Sequence, residues 1–180
     1  MIAAPVVNLI DDGRLAGGLL SAPVDGEGVP TRKRLLVEEG RVAERIVPWW
    51  QATAAAGCCV RWSFRDLPRT GATQFYLRPE KDVSVAALLS DVARGYYLIE
   101  ASGSGSFDYG SGRFSLPVCG FEIENGRPAM AVSRIALEGD LYAVLANVRA
   151  VARDLTFTAL GAMVGSPTIR VDRISLRPLD

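Results

Sequence analysis

Histidine is absent from this chain of 180 residues. Histidine is the usual general base near neutral pH and the commonest metal ligand in proteins. The chain by itself therefore cannot form a serine–histidine–aspartate triad, a cysteine–histidine dyad or a histidine-based zinc site. Acid–base chemistry by carboxylates, lysine or tyrosine remains open, but a self-contained hydrolase is not expected.

A charge imbalance and long apolar runs are also absent. The 20 basic and 20 acidic residues give a net charge of +0, so no electrostatic surface for nucleic acid or an anionic membrane is expected. No apolar run is long enough to span a bilayer, and Met1–Leu9 lacks the pattern of a signal peptide. We therefore predict a cytoplasmic protein that binds neither nucleic acid nor a membrane directly.

Cysteine is scarce, with three residues and no spacing typical of a disulfide framework. Cys58 and Cys59 are adjacent in a predicted strand, so their side chains point to opposite faces and cannot chelate one metal together. Cys119 has no neighbour that would lower its pKa except Arg113. Buried, reduced thiols are the favoured interpretation of all three cysteines.

What the sequence does contain is the composition of an ordinary globular domain. Apolar residues make up 49% and charged residues 22% of the chain, which suits one domain over residues 1–180, with room for two lobes. The predicted strands outnumber the predicted helices, and few strands are joined by a helix. We therefore predict an α+β fold in which two to three helices pack against mixed or antiparallel sheets.

Turn residues and apolar periodicity define the predicted strands. Glu38–Arg41 and Glu124–Arg127 are typical of hairpin turns, because asparagine and glycine tolerate a positive φ. The predicted strands are Val6–Ile10, Arg34–Val37, Val42–Val47, Cys59–Phe64, Thr73–Leu77, Tyr96–Ala101, Arg113–Val118, Phe121–Glu124, Pro128–Leu137, Leu155–Thr158 and Thr168–Leu176.

Apolar residues at helical spacing predict two helices. One follows the N-cap candidate Ser84 and stops near Gly95, and the other follows the N-cap candidate Asp140. Pro48–Ala56 is a possible third, short helix. The apolar faces of the first two helices consist of Val85, Leu88, Leu89 and Val92, and of Leu141, Val144, Leu145 and Val148.

Several groups of residues have a chemical and a structural interpretation. Clustered carboxylates can do acid–base work or bind a hard cation, yet their sequence context favours turns; they are Asp11, Asp12, Asp25 and Glu27. The stretch Ser102–Gly112 lacks the lysine of a phosphate loop, so a structured hairpin connection is favoured. Trp49 and Trp50 can anchor a partner or cap a core, and both interpretations stay open.

Taken in order, the segments of the chain resemble the C-terminal domain of the TldD/PmbA (TldE) family. The opening pair is similar to the family's "DDG … DEGxPT" signature, and the order is preserved from about Val6 to Leu176. The matching segments are Val7–Gly13 with Gly26–Thr31, Leu35–Gly40, Thr73–Pro79, Arg94–Leu98, Gly112–Ser115, Gly120–Gly126 and Gly165–Val171.

The resemblance implies a family of cytoplasmic peptidases, whose members are also called modulators of DNA gyrase. The active subunit is a zinc metallopeptidase with an HExxxH helix ahead of the region matched here and a metal-binding cysteine near its C-terminus. This sequence has neither, because it lacks histidine and the matching stretch Thr156–Gly165 lacks cysteine. The resemblance therefore implies the non-catalytic TldE/PmbA side, with no catalytic residue, no metal-binding residue and no cofactor in this chain.

The expected function is a scaffold, dimerisation and peptide-channel element of a TldD/TldE-type assembly. The expected partners are a second copy or a TldD-like subunit, and an unfolded peptide. Peptide or partner contacts are assigned to Trp49, Trp50, Thr73, Gln74, Phe75 and Tyr76. The alternatives are a fragment of a zinc metallopeptidase whose HExxxH helix is missing and a regulator linked to DNA gyrase. The family's N-terminal domain is expected to be absent, through truncation or as a natural feature.

Overall fold

A computed structural model describes residues 1–51, 58–101 and 105–179 of the chain. The described residues fall into two compact units. The first unit holds Val7–Pro79 and Asp154–Pro167, together with Met1. The second unit holds Ile2–Val6, Glu80–Arg153 and Thr168–Asp180. The chain thus leaves the first unit after Pro79 and returns to it only at Asp154–Pro167.

Strands dominate the described residues. They are accompanied there by two short α-helices, α1 (Val85–Leu89) and α2 (Leu141–Ala146), and by a 3₁₀ turn at Trp49–Gln51. The strands are β1 (Leu9–Asp12), β2 (Lys33–Glu38), β3 (Arg41–Val42), β4 (Cys59–Val60), β5 (Arg69–Thr70), β6 (Gln74–Leu77), β7 (Arg94–Ala101), β8 (Ser106–Phe107), β9 (Arg113–Glu124), β10 (Arg127–Asp140), β11 (Val148–Val151), β12 (Thr156–Ala159), β13 (Met163–Ser166), β14 (Ile169–Val171) and β15 (Ser175–Pro178).

The first unit is built on a six-stranded sheet in the order β12-β13-β6-β1-β2-β3. Its pairings are antiparallel except for β13 beside β6, which run parallel. Val7 and Ile10 are almost completely buried, at 0% and 1% exposure. Tyr76 packs edge-on against Phe157 with ring centroids 5.6 Å apart. A separate two-stranded ribbon joins β4 to β5.

The second unit is built around the long antiparallel hairpin of β9 and β10. Strands β15 and β7 flank this hairpin, β8 pairs with β9, and β11 pairs with β14 in a separate ribbon. The hairpin turn has Asn125 at φ 49° and Gly126 at φ 77°. Two consecutive residues with positive φ make a type I′ turn, whose twist matches that of the flanking strands. The hairpin predicted at Glu124–Arg127 is therefore confirmed.

The helices are confirmed in position but are shorter than predicted. Ser84 Oγ accepts a bond from Ala87 N at 3.1 Å, and Asp140 Oδ1 accepts one from Ala143 N at 3.0 Å. The predicted stop at Gly95 is wrong, since α1 ends at Leu89 and Gly95 lies in β7. Beyond α1, the carbonyl oxygens of Val92 and Ala93 accept bonds from Gly126 N and Asn125 N of the β9–β10 turn.

Strand boundaries account for most of the other corrections. Strand β1 begins at Leu9 and includes Asp11 and Asp12, which pair with β2. The two predicted strands Arg113–Val118 and Phe121–Glu124 form one strand, β9. Thr168–Leu176 is divided between β14 and β15, with Arg173 at φ 59° in the break. The predictions missed β5, β8, β11 and β13, and Val148, assigned to a helix face, begins β11.

The predicted class is confirmed only in its coarse form, a strand-rich fold with two small helices among the described residues. The helix predicted over Pro48–Ala56 is seen as the 3₁₀ turn Trp49–Gln51, and residues 52–57 lie outside the described part. None of the described helices is long and apolar enough to cross a membrane.

Candidate functional site

A buried carboxylate, Asp11 of β1, ties three strands of the first unit together. Its Oδ1 accepts bonds from Thr73 N at 2.8 Å, from Thr73 Oγ1 at 3.0 Å and from Gln74 N at 3.1 Å. Its Oδ2 lies 3.5 Å from Arg34 Nη1, and these two side chains are 0% and 1% exposed. Because every oxygen of the carboxylate faces a donor in the interior, Asp11 is a structural clamp rather than a free general base.

Gln74 connects this clamp to the glycine-rich segment that follows β1. The Gln74 side chain is 1% exposed, and its Nε2 donates to Ser21 Oγ. Ser21 Oγ donates in turn to the carbonyl oxygen of Leu15 at 2.6 Å. A Cβ atom on Gly18 would lie 1.6 Å from Gln74 Nε2, so a larger residue there would displace the end of the Gln74 side chain. The segment is therefore an ordered loop fastened to β6.

This arrangement defines where the predicted contact residues of β6 lie. Thr73, Gln74 and Tyr76 are buried at 7%, 1% and 6% exposure, and Phe75 is half-buried. Strand β6 has β13 on one side and β1 on the other. These side chains therefore pack the sheet, and β6 has no free edge to offer to a peptide.

Trp49 and Trp50 lie on the surface of the first unit. They are 57% and 62% exposed, and their rings meet edge-to-face at a centroid distance of 6.3 Å. The backbone N–H of Trp49 donates to Glu27 Oε2 at 3.4 Å. Exposure of this size does not suit core capping, so a partner contact remains the prediction for these two residues.

Asp25, Glu27 and Cys59 converge although they are distant in sequence. Each has one potential ligand atom, and these atoms lie within 4.8 Å of one another. Asp25 Oδ1 accepts bonds from Glu27 N and Val29 N, both at 2.9 Å. Asp25 Oδ2 accepts a bond from Cys59 N at 3.0 Å, and Cys59 Sγ donates to Glu27 Oε2 at 2.9 Å. The cluster has the ligand types that can hold a metal ion. Its potential ligand atoms are already engaged in the hydrogen bonds just described.

Cys59 acts as a hydrogen-bond donor within this cluster. Burial, helped by the hydrogen bond to Glu27 and by its charge, raises the pKa of the Cys59 thiol to about 12. The thiolate is the form that binds metals and attacks electrophiles, so the group is a neutral donor near neutral pH. Asp25 meanwhile satisfies the backbone of its own loop, as the favoured turn interpretation predicts.

The hairpin of β12 and β13 covers Thr156–Gly165, where the resemblance implies a metal-binding cysteine in the active subunits. Its residues from Thr156 to Ser166 include no cysteine, histidine, aspartate or glutamate. Zinc needs thiolate, imidazole or carboxylate ligands, so this hairpin does not fit a zinc-peptidase site. Strand β12 is the outer strand of its sheet, and no described strand pairs with its other side.

An apolar groove lies at the tip of the same hairpin. Its volume is about 290 Å³, and Leu19, Leu20, Trp62 and Met163 line it together with the hairpin tip. Leu19 and Trp62 remain 76% and 58% exposed. Large apolar side chains that stay exposed around a concave surface are typical of a binding site.

Known proteins place this strand-rich fold in a defined class. TldE from Thermococcus kodakarensis matches with a TM-score of 0.85 at 24% identity, over 97% of this chain and 40% of that chain. A Thermotoga maritima protein, described as a candidate modulator of a DNA gyrase, matches with the same TM-score and identity. The match covers 98% of this chain and 40% of that chain. The chain thus shares its fold with part of each of these two proteins.

The family follows from the sequence comparison. A family model for the PmbA/TldA metallopeptidase C-terminal domain matches residues 1–177, and the chain belongs to that family. It is 30% identical to a metalloprotease from Methanothermobacter thermautotrophicus over 85% of this chain and 34% of that protein. It is also 30% identical to a PmbA homologue, named a metalloprotease, from Haemophilus influenzae. That match covers 76% of this chain and 29% of the relative. The chain therefore spans about a third of the length of these relatives.

Proposed function

We propose that this chain is a non-catalytic, TldE/PmbA-like domain of a TldD/TldE-type peptidase assembly, where it serves as a scaffold and as a wall of the peptide channel. The observation that carries the proposal is the β12–β13 hairpin. At the place where the resemblance puts a metal-binding cysteine, its residues provide no thiol, imidazole or carboxylate. The relatives are named metalloproteases, so zinc would be held by the other subunit.

The exposed part of the first unit supports a peptide-binding role without catalysis. An extended peptide can be held by backbone hydrogen bonds to the edge of a sheet, which requires no reactive side chain. The outer edge of β12 is uncovered in the described part of the chain, and the apolar groove begins at its last residue, Ala159. Trp49 and Trp50 are the candidate contacts with a second subunit.

A reconstitution experiment tests the proposal. Unfolded peptides are incubated with the purified chain alone, with a TldD-type subunit that carries HExxxH, and with both together. We expect no cleavage by the chain alone, with or without zinc, and cleavage by the mixture that a chelator abolishes. Zinc-dependent cleavage by the chain alone would contradict the non-catalytic role.

The two alternatives give different results in simpler measurements. A fragment of a zinc metallopeptidase would follow from an in-frame HExxxH helix encoded upstream of Met1. A regulator linked to DNA gyrase would bind DNA in a salt-dependent manner. The net charge of +0 supports neither a DNA-binding surface nor strong non-specific binding to nucleic acid.

A further inference from the structure

The loop between β4 and β5 presents large apolar side chains to solvent. We refer to residues 61–69, which are this loop and the first residue of β5, as the arginine–aromatic loop. Trp62, Phe64 and Leu67 in this loop are 58%, 80% and 82% exposed. Apolar side chains this exposed and this close together in sequence form a patch of the kind that marks an interaction surface.

Internal contacts hold the loop in this outward-facing conformation. Asp66 N donates to the carbonyl oxygen of Ser63 at 3.0 Å, and Arg65 N donates to Ser63 Oγ at 3.2 Å. Arg61 Nη2 donates to the carbonyl oxygen of Phe64 at 2.6 Å. The Arg65 guanidinium lies 5.2 Å from the centroid of the Phe64 ring. The exposure of the apolar side chains is therefore built into a defined turn.

The same loop carries an excess of positive charge. Arg61, Arg65 and Arg69 are all exposed, and Asp66 is the one carboxylate among residues 61–69. The ion pairs found among the described residues use other arginines. Because the three guanidinium groups have no carboxylate partner there, the charge complementary to this surface is negative.

Trp62 joins this loop to the apolar groove. It lines the groove together with Met163 and the tip of the β12–β13 hairpin. Ala159, the last residue of β12, also lines the groove, and the outer edge of β12 is uncovered by described strands. An extended chain paired with this edge would place alternate side chains on one face, since successive side chains of a strand point to opposite sides.

We propose that the arginine–aromatic loop and the adjoining groove bind an extended acidic segment with large apolar side chains. The apolar side chains occupy the groove beside Trp62, and the carboxylates face the three arginines. A bilayer surface does not enter a concave groove, and nucleic acid offers no aliphatic side chains for Leu19 and Met163 to contact. This inference rests on the proposed peptide-binding role and names the class of peptide.

Fluorescence anisotropy with labelled peptides tests whether the surface prefers acidic peptides to basic ones. The probes are extended peptides of about ten residues, in which leucine alternates with glutamate, with serine or with lysine. We expect the glutamate peptide to bind at least about tenfold more tightly than the lysine peptide, and the difference to shrink at high salt. The serine peptide should fall between them, because it keeps the backbone and apolar contacts.

Substitutions in the loop separate charge from apolar contact. The double variant Arg61→Glu with Arg65→Glu should reverse the preference, so that the lysine peptide binds more tightly. Trp62→Ala should weaken all three peptides while preserving their order. Arg41→Glu with Arg45→Glu is the matched control, because both arginines are exposed elsewhere in the first unit, and it should leave the preference unchanged. If the double variant does not fold, the milder variant Arg65→Gln replaces it. The preference for the glutamate peptide over the lysine peptide should then be smaller than in the wild type.

The outcomes distinguish failure of this inference from failure of the proposed peptide-binding role. Equal binding of all three peptides, unaffected by the loop variants, would overturn this inference and leave the peptide-binding role intact. Binding of none of the peptides would overturn both. Binding of phosphatidylserine vesicles or of single-stranded DNA that the loop variants abolish, with no preference among peptides, would show that the surface has a different partner.

Discussion

The two units of the molecule stabilise their sheets by different means. In the first unit, the strands of the main sheet have between two and six residues, and a buried polar clamp on Asp11 joins them. In the second unit, β9 and β10 have 12 and 14 residues, and one tight turn joins them. Short strands from distant segments have few backbone bonds, so side chains must fix their register. A long local hairpin fixes its own register through the turn.

The largest expected effect comes from removing the clamp. Asp11→Ala leaves Arg34 buried without its carboxylate and deprives Thr73 and Gln74 of their acceptor. Breaking a buried ion pair by removing one partner costs about 3–5 kcal/mol. We expect a loss of this size in the free energy of unfolding, measured by chemical denaturation. Hydrogen exchange resolved by peptide fragment should localise the loss to β1, β2 and β6.

A surface ion pair of the second unit provides the control. Asp91 pairs with Arg170 but is 70% exposed, and exposed pairs contribute about 0–1 kcal/mol. Asp91→Ala should therefore leave the stability nearly unchanged. If Asp11→Ala were as mild as Asp91→Ala, the clamp would not be what holds the first unit together.

The second unit should be most sensitive at the turn of its hairpin. Gly126 has φ +77°, and a Cβ atom there would lie 2.9 Å from the carbonyl oxygen of Ser90. We expect Gly126→Ala to destabilise the second unit by about 1–3 kcal/mol. Gly17→Ala is a matched control, because Gly17 has φ +72° but nothing within 4 Å of the added atom. Equal losses in the two variants would mean that backbone strain alone, without the clash, accounts for the effect.

A smaller effect is expected at the start of α2. Asp140 Oδ1 accepts a bond from Ala143 N at 3.0 Å, and loss of an N-cap residue typically costs about 1 kcal/mol. Asp140→Ala should lower the midpoint of thermal unfolding, whereas Asp140→Asn keeps an acceptor and should retain most of the stability. A loss that is just as large for asparagine would assign the effect to charge instead of capping.

The sequence predicted the local features of both regions and missed the distant ones. Hairpin turns and N-caps depend on a few neighbouring residues, so Asn125 with Gly126, Ser84 and Asp140 were assigned correctly. The pairing of β13 with β6, and the approach of Cys59 to Asp25, depend on closure between segments far apart in the chain. No local pattern encodes such contacts. The carboxylates were nevertheless correctly assigned to turns, because aspartate bonds to its own loop.

The arginine–aromatic loop has a recognisable sequence pattern that the predicted strands do not reflect. Residues 61–69 combine three arginines with Trp62, Phe64 and Leu67, yet the apolar pattern predicts a single strand over Cys59–Phe64. In a strand, half of those side chains would be buried. The strand β4 ends at Val60, and the turn at Ser63 exposes the apolar residues instead. The division between strand and turn could not be made without the tertiary contacts of the ribbon.

The smallest effect near neutral pH is expected at Cys59 of the first unit. The pKa of its thiol is raised from an ordinary 9.0 to about 12, so the folded chain holds this proton more tightly than the unfolded chain. This contribution to stability is complete below pH 9 and is lost as the pH rises from 9 towards 12. Cys59→Ser keeps a donor for Glu27 without titrating in that range, so its stability should fall less steeply with alkaline pH.

Alkylation followed by mass spectrometry checks the same prediction residue by residue. In the folded chain, Cys59 is 2% exposed and should react with iodoacetamide more slowly than the half-buried Cys119. In denaturant, both should react at similar rates, since the environment that suppresses the thiolate is then lost. Rapid alkylation of Cys59 at mildly alkaline pH in the folded chain would mean that burial and Glu27 do not keep the thiol protonated. The cluster with Asp25 would then have to be reconsidered as a reactive or metal-binding site, in contrast to the Asp11 clamp of the same unit.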